Sequence, residues 1–152
     1  MKSFVSFVVK MNSLNIINLN LKNTNNMNEN DVSRIIFDAG LKVHRQLGAG
    51  LLESAYEECL YFELQKSGLL IEKQKPMPLI YEDIKLDIGY RLDFLIEKKV
   101  VVEIKSVESL NNIHIAQVLT YLKLSNCKLG LLINFNSVLF KNGVKRLING
   151  TI

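Results

Sequence analysis

In the stretch RLDFLIEKKVVVEIKS, residues 91–106, three ionisable side chains interrupt an apolar run: Asp93, Glu103 and Lys105. Val, Ile and Phe favour strands, and Glu97-Lys98-Lys99 between them suits a three-residue hairpin turn. Side chains alternate faces along a strand, so such a hairpin can be sorted by parity. The even positions Leu92, Phe94, Ile96, Val100, Val102 and Ile104 are apolar throughout, which makes one face core. The odd positions carry Asp93, Glu103 and Lys105, with Leu95 and Val101 beside them. A three-residue loop pairs Ile96 with Val100 and sets Asp93 directly opposite Glu103, with Lys105 two residues further on the same face. Like charges opposed across a ladder repel. A cation between them removes the conflict, and Mg²⁺ takes one or two carboxylates together with waters and a phosphate oxygen. The plainer alternative is a solvated outer face with a Lys105–carboxylate ion pair. Leu95 and Val101 on that face count against it.

The elements that must hold these residues can be read from the rest of the chain. It has 152 residues, 48% of them apolar, enough for one domain with a core. Cys59 and Cys127 lie far apart in apolar contexts, so they read as buried thiols in a reducing compartment rather than a disulfide or zinc site, with a cytoplasmic location expected. No apolar run approaches the roughly 20 residues of a membrane span. Residues 1–30 hold nine asparagines and three basic groups, with no acid before Glu29. They read as a poorly ordered leader before a domain at 31–152, with Met27 a candidate initiator. FVSFVV is too short for a secretory core, and no small-residue cleavage site follows it. Residues 27–97 carry 8 basic against 13 acidic groups, whereas residues 98–152 carry 8 against 2. The second segment suits a surface facing a phosphate backbone.

Asp31 or Ser33 is expected to cap a helix through VSRIIFDAGLKVHRQLG, ended by Gly48-Ala49-Gly50. A second helix follows in LLESAYEECLYFELQKSG, with Leu52, Ala55, Tyr56, Cys59 and Leu60 as its apolar stripe. LLIEKQKPMPLIYE reads as extended, with Pro76 and Pro78 marking an edge strand or a break. IKLDIGYRLDFLI and the 91–105 hairpin follow. NNIHIAQVLTYLKLS reads as a helix and KLGLLINF as a buried strand. SVLFKNGVKRLI is expected to form two strands around an Asn142-Gly143 turn. The order is ααβββαβ plus a small C-terminal β extension, an α/β class with a mixed central sheet flanked by helices.

GLLESAY at 50–56 places Gly50, Glu53 and Tyr56 in a GxxExxY spacing. YRLDFLI, VVEIKS, HIAQVLTYL and LGLLINF follow it in order, and with them the chain resembles the GxxExxY protein family across residues 31–148. That family is grouped with the PD-(D/E)XK nuclease superfamily. The resemblance implies a restriction-endonuclease-like core, which agrees with the order of elements read above. It also implies an acid on the second core strand and an acid-x-Lys on the third, matched here by Asp93 and by Glu103-Ile104-Lys105. Asp93 and Glu103 would then be ligands of Mg²⁺ or Mn²⁺, and Lys105 would assist the water or the transition state. Glu53 matches a glutamate that many superfamily members add from a preceding helix. Gln117 and Tyr121 match the Gln-to-Tyr spacing of the RecB-like branch. One departure is that Leu92, not proline, precedes the first acid.

Each of these residues also has a simpler structural role open to it. Glu53 suits a helix N-terminus on charge alone. Gln117 and Tyr121 could pack a helix on the sheet. His114, on their face, and His44, ending its helix, are accessory candidates, each with an ordinary structural role available. Glu57 and Glu58 read as a solvated helix face, and Tyr56 as a core residue whose hydroxyl finds a partner. The implied activity is metal-dependent hydrolysis of phosphodiester bonds in nucleic acid, with DNA the expected substrate and no membrane partner. A homodimer or larger protein assembly is compatible with it. The alternative is a non-catalytic nucleic-acid-binding or partner-binding module on the same fold.

Overall fold

The computed structural model describes residues 27–152, so most of the expected leader, residues 1–26, lies outside the described residues. The first helix, α1, spans Glu29–Leu47. Its cap is neither Asp31 nor Ser33 but Asn28, whose side chain accepts the Asp31 N–H while the Asp31 carboxylate accepts the Asn28 N–H. Asn caps as well as Asp, and here Asp31 closes a reciprocal box one turn earlier than expected. Helix α2 spans Glu53–Gln65 and buries Tyr56, Leu60 and Leu64. Leu52, expected in its stripe, is instead the 77% exposed residue that precedes the helix.

Five strands follow one another across one sheet in chain order: β1 Ile71–Tyr81, β2 Ile84–Ile96, β3 Val100–Lys105, β4 Leu129–Asn134 and β5 Val144–Ile148. The pairs β1–β2, β2–β3 and β4–β5 are antiparallel. β3 and β4 are parallel and joined through helix α3, Asn112–Ser125, because a parallel pair needs a long crossover. β1, with its two prolines, is an edge strand.

The expected pair of C-terminal strands is one strand, β5, preceded by a helical turn, α4, at Phe140–Gly143. Phe140 decides this. It is buried against the rings of Phe37, His44 and Phe135, which requires the chain to turn back toward α1. Gly143 lies so close to β4 that a Cβ there would sit 2.2 Å from the Asn134 carbonyl oxygen.

Two apolar layers result. α1, α2 and Phe140 pack on one face of the sheet with Phe94, Ile96, Val100, Val102 and Ile104. On the other face, α3 residues Val118, Tyr121 and Leu122 pack on Leu95, Val101 and Leu132. Leu92 joins this second layer rather than the first, which breaks the expected parity of β2. Among the described residues no helix is long and apolar enough to cross a membrane. Cys59 and Cys127 are both free thiols.

Candidate functional site

The β2–β3 hairpin turns through Glu97 and Lys98, both at left-handed φ of 52° and 53°, and the Lys99 N–H bonds the Ile96 carbonyl. Its register runs Ile96↔Val100, Leu95↔Val101, Phe94↔Val102, and there the ladder ends. Asp93 and Glu103 come next in this register, but they do not form a strand pair. The Asp93 side chain turns into the gap, and its Oδ2 accepts the Ile104 N–H at 2.8 Å. The two strands fork at this point. A backbone amide that a continuing ladder would have bonded goes to a carboxylate instead.

The other neighbour of β2 is irregular at the same level. β1 pairs Lys73↔Phe94 and Lys75↔Leu92, leaving Gln74 facing Asp93 with a left-handed φ of 50°. Its amide Nε2 donates to Asp93 Oδ1 at 3.3 Å and to Glu57 Oε2 at 2.7 Å. Both oxygens of Asp93 are therefore tethered, one on each side of β2.

Glu103 faces the second layer and its side chain is only 4% exposed. Its Oε1 accepts from Lys105 Nζ at 2.7 Å, while its buried Oε2 has no hydrogen-bond partner among the described residues. Burial pushes this carboxyl up to about 7; the Asp93 charge adds to the push and Lys105 opposes it. Burial also raises Asp93 above the usual carboxylate range, against the Ile104 amide and with Glu57 and Glu53 repelling. For Lys105, burial works against the ammonium, but the bond and charge of Glu103, with Glu53 and Asp93 behind it, hold it above its ordinary value.

Glu53 opens α2, is exposed, and acts on Asp93, Glu103 and Lys105 through its charge. The segment leading to it is clamped. Gly50 sits at φ 103°, a conformation that favours glycine. The Tyr56 hydroxyl donates to the Gly48 carbonyl at 2.7 Å and accepts the Leu51 N–H at 3.1 Å, while its ring stacks on Phe135 at 4.6 Å. Ser106, next to Lys105, donates its hydroxyl to the Leu51 carbonyl at 2.6 Å. Gly50, Glu53 and Tyr56 thus work as one unit: a glycine turn, the acid it delivers, and the phenol that locks the turn.

Among the described residues, no three His, Cys, Asp or Glu side chains come close enough together to cage a metal ion. The donor set is two carboxylates at one fork, one with a buried oxygen that lacks a partner. Hard divalent cations that keep waters and take substrate phosphate oxygens need no more protein than that. These residues fit such an ion.

The family model for the PD-(D/E)XK nuclease superfamily matches residues 30–147. This chain belongs to the PD-(D/E)XK nuclease superfamily. No curated protein and no solved structure matches it significantly. Its mixed sheet with helices on both faces is the restriction-endonuclease-like fold of PD-(D/E)XK proteins.

The remaining sequence candidates of this PD-(D/E)XK chain divide. Gln117 and Tyr121 meet on α3, where the Gln117 amide donates to the Tyr121 hydroxyl at 3.0 Å. Tyr121 is near enough to the fork that Glu103, Lys105 and Asp93 all act on its phenol, which burial raises above its usual value. His114 is engaged at the start of α3, where its Nδ1 accepts the Asn111 N–H at 3.2 Å in the capping box. His44 donates from Nε2 to the Ser137 carbonyl at 2.7 Å and packs on Phe140. Both histidines have structural partners, and among the described residues no hydrogen bond ties either to Asp93, Glu103 or Lys105. Glu58 is exposed and pairs with Lys73 at 2.5 Å, as a solvated face would. Glu57 does not fit that reading: it is half-buried and joins Asp93 through Gln74. Its spacing of four from Glu53, one helical face, was the signal for it. Gln74 carries no such signal in its type or spacing.

Proposed function

We propose that this chain is a metal-dependent nuclease of the GxxExxY type that hydrolyses phosphodiester bonds, with DNA as the expected substrate, in the reducing cytoplasm that suits its two free thiols. The observation that carries this is Glu103: a buried carboxylate with an unpartnered oxygen, beside Asp93 on one side and Lys105 on the other. The spacing of Asp93 and Glu103-Ile104-Lys105 also resembles the superfamily's acid and acid-x-Lys pattern, which supports this reading.

Asp93 and Glu103, with the Ile104 carbonyl as a further oxygen, would hold Mg²⁺ or Mn²⁺, and such an ion would supply polarisation of the scissile phosphate and a lowered pKa for a bound water. The chain's own groups do the rest. Asp93 is held in orientation at both oxygens, so it meets a ligand without rearranging. Lys105, held as an ammonium beside Glu103, donates to the water or to the phosphoryl oxygens as negative charge builds there. Glu53, exposed and within electrostatic reach of Asp93, Glu103 and Lys105, adds a further carboxylate to the site. The Gln117 amide and the Tyr121 hydroxyl offer donors toward the nucleic-acid backbone.

Labelled single-stranded, double-stranded and RNA substrates, each with and without Mn²⁺, test the reading. Metal-dependent cleavage that disappears in Lys105→Ala supports it. Binding without cleavage across all substrates overturns it. One observation favours the second reading, a binding module: Glu103 Oε1 and both Asp93 oxygens already have partners within the protein, and among the described residues no third acid joins them in a metal-holding group.

A further inference from the structure

We infer that Gln74 is the positioning residue of this site, a bridge that orients Asp93 toward a divalent cation and ties that orientation to Glu57 on α2. The inference rests on the metal-site reading and extends it to two residues that the family's motifs do not include.

Three observations converge on Gln74. It lies in the interior of β1, yet its φ is 50°, in the left-handed region that a non-glycine strand residue rarely occupies. Its neighbours Lys73 and Lys75 keep normal register with Phe94 and Leu92, so the irregularity is confined to the position facing Asp93. The side chain that results reaches two carboxylates on two different elements, Asp93 at 3.3 Å and Glu57 at 2.7 Å. Left-handed backbone at a glutamine is strained, and the surroundings must offset that strain. A strand that needed only to pair with β2 would avoid it.

The consequence for Asp93 is geometric. The Ile104 amide holds Oδ2 from the β3 side and the Gln74 amide holds Oδ1 from the β1 side. Each oxygen keeps a second lone pair, and the plane of the carboxylate is fixed. Glu57, itself in reach of Lys73 at 3.4 Å, fixes the Gln74 amide in turn. Partners of this kind around a ligand change metal affinity about 10–100-fold when removed.

Glycine tests this cleanly, because it accepts a φ of +50° without strain. Gln74→Gly removes the amide and keeps the backbone, so the metal-free protein should melt at the same temperature or higher. Its Mn²⁺ affinity, measured by calorimetric titration of the whole chain, should fall about 10–100-fold. Glu57→Gln keeps an acceptor oxygen for the Gln74 amide and should stay within about threefold of wild type, whereas Glu57→Ala should fall toward Gln74→Gly. Unchanged Mn²⁺ affinity in Gln74→Gly, against a wild type that binds and an Asp93→Asn variant that does not, overturns the inference alone. A wild type that takes up no Mn²⁺ overturns it together with the metal-site reading. A metal-free Gln74→Gly protein that melts far lower, with affinity intact, assigns Gln74 to stability instead.

Discussion

Glu103 has one oxygen bonded to Lys105 and one without a partner among the described residues, in a place that water hardly reaches. Its folded pKa of about 7 lies above the usual 4.5, so the native state binds more protons than the unfolded chain between those values. The metal-free protein should therefore lose stability as pH rises from about 4.5 through about 7. Melting temperatures across that range check this, and Glu103→Gln should flatten the slope. A cation competes with the same proton, so stabilisation by Mn²⁺ should grow over the same window. The other site residues separate by chemistry. Lys105→Ala should keep Mn²⁺ binding, since lysine is no ligand, and lose most cleavage. Asp93→Ala and Glu103→Ala should lose both, as read by titration and a gel assay on one preparation.

At the scale of elements, what matters is how α2 and the forked β2–β3 pair are locked to each other. Tyr56 belongs to the core by its ring and to the Gly48–Leu51 turn by its hydroxyl, and Ser106 ties that turn to the end of β3. Tyr56→Phe keeps the ring stack and leaves the Gly48 carbonyl and the Leu51 amide without the phenol. A loss of about 1–3 kcal/mol in denaturant unfolding is expected. Because Glu53 follows directly on that turn, cleavage should weaken further than stability alone explains. The start of α1 offers a second measurement. Asn28→Ala removes a reciprocal cap and should cost about 1 kcal/mol, without changing Mn²⁺ affinity. A chain beginning at Met27 should keep its melting temperature, since Met27 already packs against the core and its carbonyl accepts from Lys99.

Across the whole molecule, charge is divided along the chain. The segment 98–152 carries 8 basic against 2 acidic groups, and Lys98, Lys123, Lys128, Lys141, Lys145 and Arg146 are exposed. The acids of the fork come mainly from the earlier segment. Nucleic-acid binding should then depend on many separate phosphate contacts rather than on the site. In a titration, affinity should stay within roughly tenfold in Asp93→Ala, Glu103→Ala and Lys105→Ala, and should fall steeply with added salt. A large loss of affinity in Lys105→Ala alone would place binding at the fork.

Asp93, Glu103 and Lys105 were legible as a group from sequence because alternation along a strand is a local property: each residue's face follows from its neighbours' parity and a short turn. The hairpin register at Ile96↔Val100 and the helix at 53–65 followed from the same kind of pattern. Parity failed at Leu92, which changes layers, because the ladder stops at Phe94↔Val102 and the left-handed Gln74 faces the gap on the other side. Phe140 turned an expected strand into a helical turn for a similar reason: the rings it packs against belong to α1 and to the residue after β4. Sequence determined the two N-terminal helices, the β2–β3 hairpin and the helix after it, and which of their residues could bear charge together. Tertiary structure decided how Asp93 is held, that Glu57 faces the fork rather than solvent, and that both histidines are engaged elsewhere. Those outcomes depend on hydrogen bonds between elements many residues apart, and no local period encodes such distances.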